Sequence, residues 1–225
     1  MKNYAIAIDG PSGAGKSTLA RGLAKELNFV YVDTGAIYRT VGYRAWQLGI
    51  SPTDQEPVAA LLPQLDISIS YSADGMQLMY LNGENVTEAI RLPEVSMYTS
   101  HLAVMQEVRT FLMDMQRDMA GKNSVVMDGR DIGTVVLPDA DVKIFLTASA
   151  EERAKRRFRE LKQRGTPLDY GVLLVEIEER DYIDSHRATA PLKAAEGAVT
   201  LDTTGLTFEE SLERLLAIVK EKTGL

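Results

Sequence analysis

Apolar residues fall in short, nearly continuous runs at 4–9, 29–33, 124–128, 142–147 and 198–202, each rich in Val, Ile, Leu, Phe or Tyr. Runs this short and uniformly apolar suit strands buried on both faces, as in a parallel sheet covered by helices on either side. Between them the spacing shifts to the helical period. Leu19, Leu23 and Leu27 share one face of a helix expected at 18–27, and further helices are expected at 94–119, 151–161, 172–184 and 208–222. Strand and helix alternate along the chain, which implies an α/β fold: a five-stranded parallel sheet flanked by helices.

One segment breaks this rhythm. Residues 66–71 (DISISY) alternate with period two, Ala73, Asp74 and Gly75 signal a turn, and 76–81 read as a second strand. Asn82-Gly83 is a strong hairpin signal, followed by a short strand at 84–86. The reading is a small antiparallel meander set into the α/β frame at about 63–92, with no internal repeat, low-complexity tract or linker elsewhere.

The first strand ends at a glycine-rich octapeptide: Gly10, Pro11, Ser12, Gly13, Ala14, Gly15, Lys16, Ser17, followed by Thr18. This fits G-x-x-x-x-G-K-[ST], and its setting between a strand and an amphipathic helix is the one the chemistry requires. Glycines let the loop curl so that its N–H groups point inward at phosphate oxygens. The helix N-terminus adds favourable partial charge. Lys16 is placed to bridge the β- and γ-phosphates, and the Ser17 hydroxyl to ligate Mg2+. Asp128 closes the apolar run at 124–128, as expected of a carboxylate that holds Mg2+ directly or through water.

Composition narrows the class. The formal net charge of −7 opposes a nucleic-acid partner. The chain has no cysteine, hence no disulfide and no thiolate metal site. No apolar run approaches the roughly 18 residues of a membrane span, and the first ten residues lead straight into a strand. The expectation is a cytoplasmic protein, and a monomer, since no long exposed apolar stripe is evident. A GTPase would carry Asn-Lys-x-Asp, which does not occur. A small-molecule kinase remains, and such an enzyme needs cations around the transferred phosphate. Thr34 and Arg39 follow the second strand, Arg130 and Asp131 follow the third, and Arg180, Asp184 and Arg187 recur at helical spacing on one face. The stretch 153–164 adds Arg153, Lys155, Arg156, Arg157, Arg159, Lys162 and Arg164.

The segments IDGPSGAGKST, VDTGAIYR, DGRDIGTVV, KIFLTAS followed by EER, and the closing ERD-x-x-D-x-x-R-x-x-APL together resemble bacterial cytidylate kinases, in order and over essentially the whole chain. The resemblance implies transfer of phosphate from ATP to CMP or dCMP with Mg2+. It implies a core at 1–62, 93–150 and 173–225, a nucleotide-monophosphate-binding insert at 63–92 and a short helical lid at 151–172. By the same resemblance Thr34, Arg39, Arg130 and Arg187 are acceptor-phosphate ligands. Ser100, Arg109 and Asp131 read the base, and Arg180 and Asp184 contact the sugar. Arg153 and Arg157 are the lid arginines expected to reach the transferred phosphoryl group, beside the catalytic set Lys16, Arg130 and Arg187.

The expected chemistry needs no general base. A phosphate monoester with a second pKa near 6 is already largely dianionic at pH 7, so the task is to join two polyanions in line. Planar, always-charged arginines suit that task. His101 and His186 are read as structural or exposed, and Trp46 as packing. For the base, a carboxylate such as Asp131 accepts from the N4 amino group of cytosine, whereas uracil presents O4 there. Two other readings stay open on sequence: another small-metabolite kinase with the same phosphate loop, and a catalytically silent ATP-binding switch.

Overall fold

The computed structural model describes residues 2–73, 75–163, 165 and 169–225. Asp74 of the expected turn, Arg164 of the basic run and 166–168 of the expected lid lie outside the described residues. Strands β1 (Ala5–Asp9), β2 (Val30–Asp33), β6 (Val125–Gly129), β7 (Val142–Thr147) and β8 (Val199–Asp202) form a parallel sheet in the order β2-β6-β1-β7-β8. Alternate residues of β1 enter different cores. Ala7 packs with Val32, Ile37 and Met127 on one face, while Ile6 and Ile8 pack with Leu23, Ile144 and Leu215 on the other. Burial on both faces is what the continuous apolar runs encode.

The helices are α1 (Lys16–Leu27), α2 (Thr34–Gln47), α3 (Gln55–Leu61), α4 (Pro93–Leu102), α5 (Gln106–Lys122), α6 (Ala150–Gln163), α7 (Tyr170–His186) and α8 (Phe208–Thr223). Helices α2 and α3 were not expected from sequence; α2 begins where the Asp33 side chain accepts the Ala36 N–H as an N-cap. The single helix expected at 94–119 is two. It breaks at 103–105, and Arg109 of α5 donates to the freed carbonyl of Ala103 (3.2 Å).

The meander forms as expected, with β3 (Ile67–Tyr71), β4 (Gln77–Leu81) and β5 (Glu84–Asn85) antiparallel and Ile67 opposite Leu81. Asn82 and Gly83 both have positive φ (51° and 84°), the signature of a tight hairpin turn. The meander is anchored to the main sheet: Gln77 accepts the Asp33 N–H (2.8 Å) and donates to its carbonyl (3.2 Å). Ile67, Met79 and Leu81 join the same core as Val32 and Ile37. On helix α7, Val172, Val175, Tyr182 and Ile183 are exposed within an arc of about 100°, but the exposed Glu179 and His186 fall in the same arc and interrupt it, so no continuous apolar stripe forms there.

Candidate active site

The C-terminal ends of the three adjacent strands β2, β6 and β1 deliver the chemistry, where ligands collect in an open parallel sheet. After β1 the chain turns through Gly10, whose φ is 149° and whose hypothetical Cβ would lie 1.9 Å from the Leu146 carbonyl oxygen. No other residue fits there. The loop enters α1 through Gly15, itself at φ 89°. Lys16 is buried, and its ammonium donates to the Pro11 carbonyl (2.7 Å). Burial, then the nearby Arg130, holds the Lys16 pKa well below its ordinary value. A phosphate on the loop would supply the missing negative charge.

Beside it, Asp128 at the end of β6 accepts from the Ser17 hydroxyl (2.9 Å) and the Tyr31 hydroxyl (2.8 Å). Burial, reinforced by Asp33 at the neighbouring register position, pushes the Asp128 carboxyl up to about 6. A buried carboxylate paired with a hydroxyl at the mouth of a phosphate loop is an oxygen donor set that fits Mg2+, which binds through one or two protein oxygens plus water and phosphate.

Across from the loop lies a cluster of arginines. Arg130 donates through Nε to Asp184 (2.8 Å). Arg180 is pushed down to about 10, first by burial and then by Arg130, with Arg39 and Arg157 adding to it and Asp184 opposing. Arg187 is likewise lowered, chiefly by burial. Among the described residues, Arg180 Nε and Arg187 Nη2 are buried without a hydrogen-bond partner. Buried guanidinium N–H groups left unpaired are costly unless an anion takes them. Arg187 Nε is held by the carbonyl of Ala190 (2.7 Å), a non-glycine residue with φ 49°. Such strain is a recurrent mark of functional sites.

At the floor of this cluster Arg109 Nη2 pairs with Asp131 Oδ2, both side chains buried, and Arg187 approaches Asp131 Oδ1 at 3.8 Å. Asp131 opens a π-helical turn at 132–136, whose first two N–H groups, of Ile132 and Gly133, are accepted by the Asp9 carboxylate at 2.7 Å each.

A family model for cytidylate kinase matches residues 6–221. The chain belongs to the cytidylate kinase family. A cytidylate kinase of Caldicellulosiruptor bescii is 53% identical over 218 residues, covering 97% of this chain and 96% of the relative. One of Desulfitobacterium hafniense is 50% identical over 221 residues, covering 98% and 94%. Among solved structures, an uncharacterized protein from Eubacterium ventriosum superposes with a TM-score of 0.54 at 13% identity, over 97% of this chain and 99% of that one, and supports the fold alone.

Not every residue that the cytidylate kinase resemblance singled out is presented to the cleft. Arg39, Arg130, Arg157, Arg180, Asp184 and Arg187 interact with one another as described. Thr34 is buried and gives its hydroxyl proton to the Asp128 carbonyl (2.7 Å), so it ties β2 to β6. Ser100 is exposed on α4, donates to the Ser96 carbonyl, and shares no hydrogen bond with Arg109 or Asp131. Arg153 is turned to the back of the phosphate loop. It donates to the carbonyls of Ser12 (3.0 Å) and Ala148 (2.9 Å) and forks onto Asp181 (3.0 and 2.5 Å). Arg156, named in sequence only as part of the basic run, braces the loop too, donating to the carbonyls of Ala14 (3.4 Å) and Thr203 (2.8 Å). His186 is exposed and stacks on Tyr182, and Trp46 is half-buried against Tyr43. Sequence reasoning missed Asp9 and Tyr31. The signal for Asp9 was its place as the last residue of an otherwise apolar strand.

Proposed function

We infer that this chain transfers the γ-phosphoryl group of ATP to CMP and dCMP, giving ADP with CDP or dCDP. The observation that carries the reading is the arginine cluster facing the phosphate loop, with Arg180 Nε and Arg187 Nη2 buried without a hydrogen-bond partner, above a buried Arg109–Asp131 pair. The loop amides and Lys16 take the β- and γ-phosphates. Ser17 and Asp128 hold Mg2+, which when bound offsets phosphate charge. Arg39, Arg130 and Arg187 take the acceptor phosphate, Arg180 and Asp184 its sugar side, and Arg157 reaches toward the group in flight. Opposed in this way, the donor and acceptor oxygens meet in line without a general base, and catalysis comes from positioning and fixed positive charge.

Asp131 selects the base. One oxygen is committed to Arg109, and the other accepts the amino group of cytosine; uracil would set O4 against a carboxylate. The insert at 63–92 and the lid at 151–172 close over both nucleotides, excluding water that would hydrolyse ATP. The same reading puts the enzyme in the cytoplasm as a monomer. Coupled ADP release with CMP, dCMP, UMP, AMP and shikimate as acceptors tests the assignment. CMP and dCMP should exceed the others by orders of magnitude. Preference for shikimate, or ADP release independent of acceptor, would overturn it.

A further inference from the structure

Asp9 takes no part in the chemistry above, yet it is a carboxylate only 3% exposed in the centre of the sheet. It ends β1, immediately before Gly10 of the phosphate loop. Its two oxygens are both used: Oδ1 accepts the Ile132 N–H and Oδ2 the Gly133 N–H, each at 2.7 Å. Those are the first two amides after Asp131. The turn they begin folds back on Asp131, whose carbonyl accepts from Val135 (2.9 Å) and Val136 (3.2 Å). Accepting one N–H on each of its two terminal atoms is open to a carboxylate and not to an amide, one of whose two is an NH2 donor. Burial, with a smaller push from Asp131, raises the Asp9 carboxyl to about 6, opposed chiefly by these two N–H groups and then by Lys16. The turn has little slack on its other side. A Cβ on Gly133 would sit 3.2 Å from Ala195 Cβ, 3.3 Å from Lys143 Cγ and 3.4 Å from Asp9 Oδ2.

We propose that Asp9 is a positioning residue for acceptor choice: its carboxylate fixes the turn that aims Asp131, tying base discrimination to the strand that launches the phosphate loop. The proposal rests on the reading of Asp131 as the base-selecting group. A plain structural role would cost stability and lower turnover with every acceptor alike. A positioning role changes the ratio between acceptors, because the Asp131 oxygen attracts the cytosine amino group and repels uracil O4, so moving it shifts the two in opposite directions.

The test compares wild type, Asp9→Asn, Gly133→Ala and Asp131→Asn as full-length proteins at saturating MgATP. The readouts are kcat/KM for CMP and UMP and the amide proton shifts of Ile132 and Gly133. Asp9→Asn places an NH2 group against one backbone N–H, so at least one of the two downfield amide signals should move upfield. The CMP-to-UMP ratio should fall by ~10-fold or more, the scale set by ångström misplacement of a recognition group. Gly133→Ala, which pushes the turn off Asp9 while keeping the carboxylate, should lower the ratio in the same direction. It also carries the test if Asp9→Asn does not fold. An unchanged ratio in either folded variant, while Asp131→Asn collapses it, overturns the role of Asp9 alone. An unchanged ratio in Asp131→Asn overturns the base-selecting reading and this proposal with it.

Discussion

Asp131 offers the sharpest perturbation, and the structure decides which substitution is informative. Arg109 is 3% exposed and ion-paired to Asp131 in the folded chain. Asp131→Ala therefore strands a buried guanidinium, which costs ~3–5 kcal/mol. At ~2–4 °C per kcal/mol for a chain of this size, the melting temperature should fall by ~6–20 °C. Activity with every acceptor would then suffer, and truncation would say little about selection. Asp131→Asn keeps the shape. Its carbonyl oxygen can stay on Arg109, which turns the NH2 group toward the base. Cytosine then loses a charge-assisted bond worth ~1.5–3 kcal/mol and meets donor against donor, while uracil O4 gains a donor worth ~0.5–1.5 kcal/mol. Together these narrow the CMP-to-UMP ratio of kcat/KM by ~10²–10³-fold. The assay is coupled ADP release with each acceptor, beside thermal unfolding of both variants. Two results would refute the reasoning: Asp131→Asn lowering CMP and UMP in equal proportion, or Asp131→Ala melting with the wild type.

Lys16→Ala should lower kcat by ~10²–10³-fold or more with the far-ultraviolet spectrum unchanged, since the proposed function has its ammonium bridge the phosphates, while its hydrogen bond within the described residues goes to the Pro11 carbonyl. Asp128→Asn should separate stability from function. A carboxyl at about 6 in the fold against 3.8 in the unfolded chain destabilises the protein as pH rises through that window, and the full cost is present above it. Removing the charge should therefore raise the melting temperature in EDTA at pH 7.5 relative to wild type, by the equivalent of up to ~3 kcal/mol, with little change at pH 4. Turnover with Mg2+ should drop by at least ~10²-fold.

What could be read in the sequence was whatever lies contiguous along it. Strands buried on both faces leave uninterrupted apolar runs, and the phosphate loop is a single octapeptide between a strand and a helix. The hairpin at Asn82-Gly83 is fixed by the local need for positive φ. The helix break at 103–105 was hidden because its freed Ala103 carbonyl is answered by Arg109, six residues on, rather than by a glycine or proline. The partner of an arginine is a tertiary fact, and the lid shows the consequence. Arg153 and Arg157 stand one helical turn apart on α6, so periodicity treats them alike. Packing does not. Arg153 is 4% exposed, clamped between Asp181 and the Ser12 carbonyl, while the Arg157 side chain is 48% exposed, bonded to Glu160 and within electrostatic reach of Arg180. The two should fail differently when changed to Met, which keeps the length of the side chain and removes the charge. Arg153→Met leaves the Asp181 carboxylate and a loop carbonyl without their donor. It should cost ~1–3 kcal/mol of stability and raise KM for ATP, because the loop that cradles the phosphates is no longer braced. Arg157→Met should leave the melting temperature within a degree or two and lower kcat by ~10–10³-fold, the range for losing one charge aimed at a transferring phosphoryl group. Equal losses of kcat with unchanged melting in both variants would return Arg153 to the mouth of the loop and refute the division of labour drawn here.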